Sequence, residues 1–206
     1  GEFRTGYLNF SSEGDEQNKR LTIESDVVNG TMYGQIDLNT IGPYFRSLAM
    51  RYAPAINIES TPYNPQNFEL QFEIKSFAPI SALFDPNLKL DNGASLSANF
   101  SSDNYTATFE AFSPIVNYKG VSLKNLKLLE DADDKDFSLD ISADRLSISD
   151  STYVDNIKIA NVLANDSLNF EIILSETNRA NYVNLNGNIH FAHNKPAYIQ
   201  LNKSVI

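Results

Sequence analysis

The two histidines are the residues best suited to holding a transition metal. His190 and His193 are separated by two residues and lie beside a turn that Pro196 predicts. No acidic residue lies between them, although the zinc-peptidase pattern requires one. The chain also contains no cysteine, which excludes disulfides and thiolate chemistry. We therefore predict no metal site, no cofactor and no cysteine-based catalysis.

A run of acidic residues is the next candidate, because carboxylates are preferred ligands of calcium. Its members are Glu130, Asp131, Asp133, Asp134 and Asp136. A calcium-binding EF-hand loop needs glycine at its sixth position and glutamate at its twelfth, and neither is present here. We interpret the run as a solvated turn.

A pair of carboxylates for glycoside hydrolysis needs only spatial proximity, so the sequence does not exclude such a pair. Most acidic residues alternate with apolar ones, as Glu69, Glu73, Asp140 and Glu171 do, and this pattern indicates a solvent-facing strand surface. No glycine-rich phosphate loop, Gly-x-Ser-x-Gly elbow or Walker sequence is present. We therefore expect a protein that is not an enzyme.

Composition narrows the class of partner. The net charge of -10 disfavours nucleic acid and anionic membrane surfaces, because both select clusters of lysine and arginine. A hydrophobic content of 42% supports a folded interior. No stretch of the sequence reaches the roughly 18 apolar residues of a membrane span.

The elements that carry these residues are predicted to be β-strands. In Phe68–Lys75 every second residue is apolar, which predicts a strand with one apolar face. The same alternation recurs in Leu21–Val27, Met32–Leu38, Ala94–Phe100, Tyr105–Ala111, Phe137–Ala143, Leu168–Leu174 and Val183–Phe191. Asn29-Gly30 and Ser102–Asn104 are typical of tight turns between strands. We predict an antiparallel meander.

Two segments follow a helical spacing instead. A helix is predicted over residues 40–53, with Thr40 as candidate N-cap, Pro43 in the first turn and Pro54 after its end. Its apolar positions are Ile41, Phe45, Leu48 and Tyr52. A second, shorter helix is predicted over residues 79–84. Each helix is followed by a proline and an alternating strand, Pro54–Ile58 and Pro86–Leu90.

The C-terminal half repeats itself at a spacing of 31 residues. Leu123–Leu128 aligns with Val154–Ile159, and Phe137–Ile141 aligns with Leu168–Ile172. A constant spacing of this size indicates stacked supersecondary units that bury their apolar faces against each other. The alternation of apolar and polar residues is interrupted in both copies, at Lys124-Asn125 and at Asp155-Asn156. We therefore predict a β-bulge at each position.

The organisation predicted from these patterns is one continuous β segment over residues 1–206, an internal section of a larger protein. It has a helix-containing part, 1–92, and a regular repeat part, 93–206. An isolated section of a repeat array exposes strand edges, so we expect the chain to associate.

Apolar positions of the strands are predicted to share one face, which forms either a filled core or the lining of an open groove. These residues are Leu96, Phe100, Phe109, Leu126, Leu128, Phe137, Leu139, Ile141, Ile157, Ile159, Leu168, Phe170 and Ile172. Ser138, Asp140, Asn169 and Glu171 are predicted to face the other way.

These features together resemble the translocation and assembly module TamB group of AsmA-like envelope proteins. The resemblance is carried by the alternating strands, by the helix-proline-strand elements at 45–58 and 81–90, and by Ser142–Ile157. It covers most of the chain, and its motifs are degenerate β patterns without a catalytic signature.

The resemblance implies a large protein anchored in the inner membrane of a Gram-negative envelope. Its long periplasmic β-structure would be curled like a taco around an apolar groove. The implied function is a non-enzymatic periplasmic conduit for phospholipid or other acyl-chain cargo between the two membranes. The alternative within the family is an assembly factor for outer-membrane β-barrel proteins, acting with the outer-membrane assembly machinery.

A third reading from a different class is a surface adhesin or glycan-binding β module. Carbohydrate platforms use exposed aromatic rings, so a surface of tyrosines with polar neighbours would favour it.

Overall fold

The computed structural model describes residues 6–59, 61–149, 151–175 and 182–205, and most of them form one antiparallel sheet. The strands are β1 (Leu8–Glu13), β2 (Lys19–Ser25), β3 (Val28–Gln35), β4 (Asn67–Ile74), β5 (Leu88–Leu90), β6 (Ala94–Ser101), β7 (Thr106–Tyr118), β8 (Val121–Ala132), β9 (Phe137–Ser147), β10 (Tyr153–Ala164), β11 (Ser167–Ser175), β12 (Tyr182–His190) and β13 (Tyr198–Leu201). The helices are α1 (Ile41–Tyr52) and α2 (Ala78–Phe84). The predicted all-β antiparallel fold with two short helices is confirmed.

Almost every strand lies beside its neighbour in sequence, which confirms the meander. The exception is β5, which pairs with the C-terminal end of β7. The central strands β7 to β10 are longer than those that flank them, at 11 to 13 residues against 7 or 8 in β2, β3, β4 and β6. The extra length of β7 extends past the end of β6 and pairs with β5.

The predicted turn at Asn29-Gly30 is wrong, whereas the turn at Ser102–Asn104 is confirmed between β6 and β7. Asn29 and Gly30 lie inside β3, and the chain turns earlier, where the Ser25 hydroxyl accepts the backbone N–H of Val28 at 2.9 Å. A Cβ at position 30 would collide with the ring of Phe72. Glycine is present there because an aromatic ring covers the strand, not because the backbone turns.

One of the two strands predicted after the helices is wrong. Leu88–Leu90 forms β5 as expected, but Pro54–Ile56 forms a short 3-10 turn. The N–H of Ala55 donates to the Asp166 carboxylate at 2.6 Å, in the turn between β10 and β11. That contact takes up a backbone group that a strand would have paired within the sheet.

Helix α1 covers one end of the strands. It connects β3 to β4 at the end where Gln35 pairs with Asn67, whereas α2 follows β4 at the opposite end. The residues that α1 contributes to the core are Ile41, Tyr44, Leu48 and Tyr52. Tyr44 is only 1% exposed while Phe45 is 39% exposed, so the buried position of this turn lies one residue before the predicted one.

Hydrogen bonds fix both ends of α1. The Tyr52 hydroxyl donates to the carbonyl of Asp133 at 2.6 Å, beyond the end of β8. At the other end Gln66, which has no exposed surface, accepts from the N–H of Asp37 and donates to the Thr40 hydroxyl. The Thr40 side chain makes no capping bond to the helix, because its hydroxyl donates to the Asp37 carboxylate instead.

The two predicted β-bulges are wrong. The pairing of β8 and β10 with β9 keeps one register on both sides of Asn125 and Asn156, so neither strand contains an extra residue. The irregularity lies in the backbone, since these asparagines adopt left-handed φ angles of 51° and 48°. Asparagine tolerates this conformation better than other residues with a Cβ, which explains why the repeat carries it at both places.

Candidate functional site

The pairing register assigns every strand residue to one of two faces. Residues that pair directly across an antiparallel ladder point to the same side, and successive residues alternate. By this rule all thirteen residues predicted to share one side do so, and we call that side the apolar face. Ser138, Asp140, Asn169 and Glu171 lie on the other side, the polar face, as predicted.

The apolar face consists of parallel rows that cross the strands, and we number them from the end that α1 covers. The first row is Lys19, Gly34, Phe68, Phe100, Ala107, Ala132, Phe137, Leu163, Leu168 and Ile189. Its central part is a packed core, in which Phe68, Ala107 and Ala132 are at most 3% exposed. The rings of Tyr44 and Phe45 contact Phe100 at centroid distances of 6.5 and 5.0 Å. Phe100 is therefore core beneath a helix and not the lining of an open groove.

The third row is apolar from one side of the sheet to the other. It consists of Ile23, Gly30, Phe72, Leu96, Ala111, Leu128, Ile141, Ile159, Ile172 and Leu185. Every member except Gly30 is partly exposed, and none belongs to the core cluster under α1. Ten strands at about 4.8 Å spacing give this row a length of about 43 Å. It is the longest uninterrupted apolar line on this face.

The fourth row lies further from α1 and is more closely packed. It includes the predicted residues Leu126 and Ile157, which lie just after the two left-handed asparagines. Ile157 is 7% exposed and its neighbour Ala143 is 6% exposed. Of the thirteen predicted residues, Phe100 and Ile157 are thus buried and the other eleven are partly exposed.

The second row contains Glu130, a titratable residue that is predicted above to lie in a solvated turn. Its members are Leu21, Met32, Leu70, Ala98, Phe109, Glu130, Leu139, Asn161, Phe170 and Gly187. Glu130 pairs with Phe109 on one side and Leu139 on the other, so its carboxyl lies on the apolar face. Burial raises the pKa of Glu130 to about 7, with a further contribution from the charge of Asp131.

A signal in the sequence was sufficient to find Glu130. Leu126, Leu128 and Glu130 share one parity along β8. The spacing of 31 residues aligns Glu130 with Asn161, and these two are the polar residues of the second row. The repeat therefore carries its polar interruption as well as its apolar pattern.

Asp133, Asp134 and Asp136 lie between β8 and β9, as the turn interpretation expects, whereas Asp131 is still part of β8. Asp133 accepts the backbone N–H groups of Lys135 and Asp136 at 2.7 and 3.0 Å, and these bonds hold its pKa below the usual range. Within the part of the chain that the structure describes, no group of three histidine, aspartate or glutamate residues is arranged to hold a metal. His190 contacts the hydroxyl of Ser167 at 3.1 Å, which is an ordinary cross-strand pair.

A cationic side chain lies over each of four exposed tyrosine rings. The pairs are Arg20 with Tyr33, Arg51 with Tyr105, Lys119 with Tyr118, and Arg145 with Tyr153. The closest two have 4.0 and 4.1 Å between the guanidinium carbon and the ring centroid, at Tyr153 and Tyr105. A sugar stacking on these rings would compete with the cation for the same surface. These four tyrosines are therefore not free to form the platform that a glycan-binding module uses.

A surface depression of about 550 Å³ lies on the polar face, next to Thr31, Gln71 and Ser97. Carboxylates from Glu24, Glu73 and Glu110 also line it. No basic residue is among its lining residues, and an acyl chain placed there would desolvate its three carboxylates, which is unfavourable.

No family model, curated protein or solved structure matches this chain. Among the described residues, neither α1 nor α2 has the length and apolar character needed to cross a bilayer.

Proposed function

We propose that this chain is a non-enzymatic section of a periplasmic lipid conduit, in which the third row is the track for acyl chains. The observation that carries the proposal is the third row itself, apolar across ten strands and partly exposed along its length. Acyl chains need an apolar path shielded from water, and the hydrophobic effect rewards each methylene that lies against such a path. The resemblance to the TamB group supports the same assignment and the periplasmic location.

The three predicted residues of the first row contribute differently to this function. Phe100 and Phe137 belong to the core cluster that includes α1, so they hold the helix and the sheet together, and Leu168 lies further along the same row. The track consists instead of Leu96, Leu128, Ile141, Ile159 and Ile172, with Phe109, Leu139 and Phe170 beside it in the second row.

Photocrosslinking tests the one-sided track. A photoreactive phenylalanine analogue at Ile141 would lie in the third row, while the same analogue at Ser142 would lie on the polar face of the same strand. With purified chain and labelled phosphatidylethanolamine or phosphatidylglycerol, we expect crosslinked lipid at Ile141 and none at Ser142. A third probe at Phe100, beneath α1, should also give none.

Equal crosslinking at Ile141 and Ser142 would contradict the track, because the two side chains face opposite ways. Crosslinking at neither would replace the conduit with a structural scaffold. Lipid extraction followed by mass spectrometry of the purified chain would identify any co-purified cargo.

A second candidate function is assembly of outer-membrane β proteins, and the edge strand β1 favours it. All six residues of β1 are exposed, with Leu8 and Phe10 at 61% and 64%, and among the described residues β1 pairs only with β2. An incoming strand adds to such an edge through backbone hydrogen bonds. Crosslinking of an unfolded barrel strand at Phe10, without lipid at Ile141, would favour this function over the conduit.

A further inference from the structure

The carboxyl of Glu130 is a polar group without a partner on the apolar face. Its Oε1 atom is buried and makes no hydrogen bond to any described residue. The residues that pair with it across the ladders are Phe109 and Leu139, and its neighbours along the face on the same strand are Leu128 and Ala132. A buried acceptor in such surroundings loses its water without gaining a protein hydrogen bond, which is unfavourable.

Helix α1 carries a second buried polar atom without a hydrogen-bond partner among the described residues. Tyr44 is 1% exposed, and its hydroxyl makes no hydrogen bond to any described residue. Burial raises the pKa of Tyr44 to about 12, and the charge of Glu130 is close enough to contribute. Two buried polar atoms on separate elements, α1 and β8, thus have no hydrogen-bond partner among the described residues, and the two groups interact electrostatically.

The charge of the surroundings selects the kind of group that fits there. Neither the second nor the third row contains lysine or arginine. The chain as a whole carries a net charge of -10. A phosphate or sulfate placed beside Glu130 would meet a like charge without a compensating cation, whereas a hydrogen-bond donor with positive charge would satisfy the carboxylate.

We propose that Glu130, assisted by Tyr44, binds the primary ammonium group of an amphiphile whose alkyl chain lies along the third row. Glu130 is in the second row and Leu128 and Ile141 are beside it in the third, so a head group and a chain have adjacent places. The desolvation of Glu130 is already part of the folded structure, and a bound ammonium group would supply the missing partner. This inference rests on the proposed track and adds a choice of head group to it.

Calorimetric titration with three amphiphiles of one chain length tests the inference, using dodecylamine, dodecanol and dodecyl sulfate below their micelle concentrations at neutral pH. We expect the amine to bind more tightly than the alcohol, and the sulfate to bind most weakly. In Glu130→Gln the affinity for the amine should fall about tenfold or more while that for the alcohol stays unchanged, since one charge-assisted hydrogen bond is lost. Tyr44→Phe should cause a smaller loss, about threefold.

The matched control is Glu110→Gln, which removes the same charge from an exposed position on the polar face. It separates binding at Glu130 from general attraction of a cation to an acidic protein. Equal loss of amine affinity in the two variants would overturn the inference. So would binding of amine and alcohol with equal affinity, a result that leaves the apolar track in place. Binding of none of the three would contradict the track itself.

Discussion

Phe100 and Leu96 lie on the same strand and the same face, four residues apart, yet their surroundings differ. Phe100 is 8% exposed and packs against Tyr44, Phe45 and Phe68, whereas Leu96 is partly exposed and belongs to no core cluster. The alternating pattern around them is the same. The comparison of the first and third rows shows that alternation defines which face is apolar, and that a covering helix decides which part of it becomes core.

We expect the largest difference in stability when a phenylalanine is truncated in the first row and in the second row. Phe100→Ala should lower the free energy of unfolding by about 3 to 5 kcal/mol, because it leaves a cavity beneath α1. Phe170→Ala, in the partly exposed second row, should cost only about 1 to 2 kcal/mol, because water already reaches the side chain. Urea denaturation of both variants measures the difference. Equal costs would mean that the second row is as tightly packed as the first.

The pH dependence of stability tests the carboxyl between the two rows. The pKa of Glu130 is raised in the fold from 4.5 to about 7, so its contribution to stability is fully present below 4.5 and is lost as the pH rises through about 7. Relative to Glu130→Gln, the free energy of unfolding of the wild type should fall by about 1 to 3 kcal/mol between about pH 5 and about pH 8, after allowance for the partial exposure of Glu130.

Denaturant unfolding of wild type, Glu130→Gln and Glu110→Gln at the two pH values measures this loss. Asp131, Tyr44 and Tyr52 interact electrostatically with Glu130 and remain unchanged in each of these proteins. If Glu110→Gln removed as much of the pH dependence as Glu130→Gln, the effect would belong to the total charge and not to this position.

The left-handed asparagines lie next to the fourth row, where the open part of the face ends. Replacing Asn156 by Val should cost about 1 to 2 kcal/mol, because a β-branched residue is strained at positive φ, while Asn156→Gly should be nearly neutral. Thermal unfolding of the two variants checks this. A neutral Asn156→Val would show that the strand can straighten without loss.

The smallest effects are expected on the polar face. Asn99→Asp and Glu110→Lys should each change the free energy of unfolding by less than about 1 kcal/mol, because they change exposed side chains. Glu110 forms an ion pair of 3.0 Å with Lys127, but both side chains are about half exposed. Lipid crosslinking at Ile141 should be unchanged in both variants. A large loss of stability in Asn99→Asp would show that the polar face is also covered.

Sequence reasoning was strongest where the pattern is local and periodic. The alternation in β4 and the repeat through β8 to β11 assigned the apolar face correctly for all thirteen residues, since side-chain direction follows from strand geometry alone. Prediction from the sequence was wrong where the choice of residue depends on a contact with a residue distant in the chain. Asn29-Gly30 has the sequence of a turn, but the glycine is required by the ring of Phe72, which belongs to another strand and leaves no room for a Cβ.

The candidate site shows the same division. The alternation of apolar and polar residues was enough to predict which side chains share a face, and the spacing of 31 residues also relates the polar positions Glu130 and Asn161. The position of α1 over the first row, which leaves the third row uncovered, follows from contacts between distant parts of the chain. The reason is that burial depends on contacts such as Tyr52 with Asp133 and Ala55 with Asp166, which join residues 81 and 111 positions apart in the chain. No local pattern contains them.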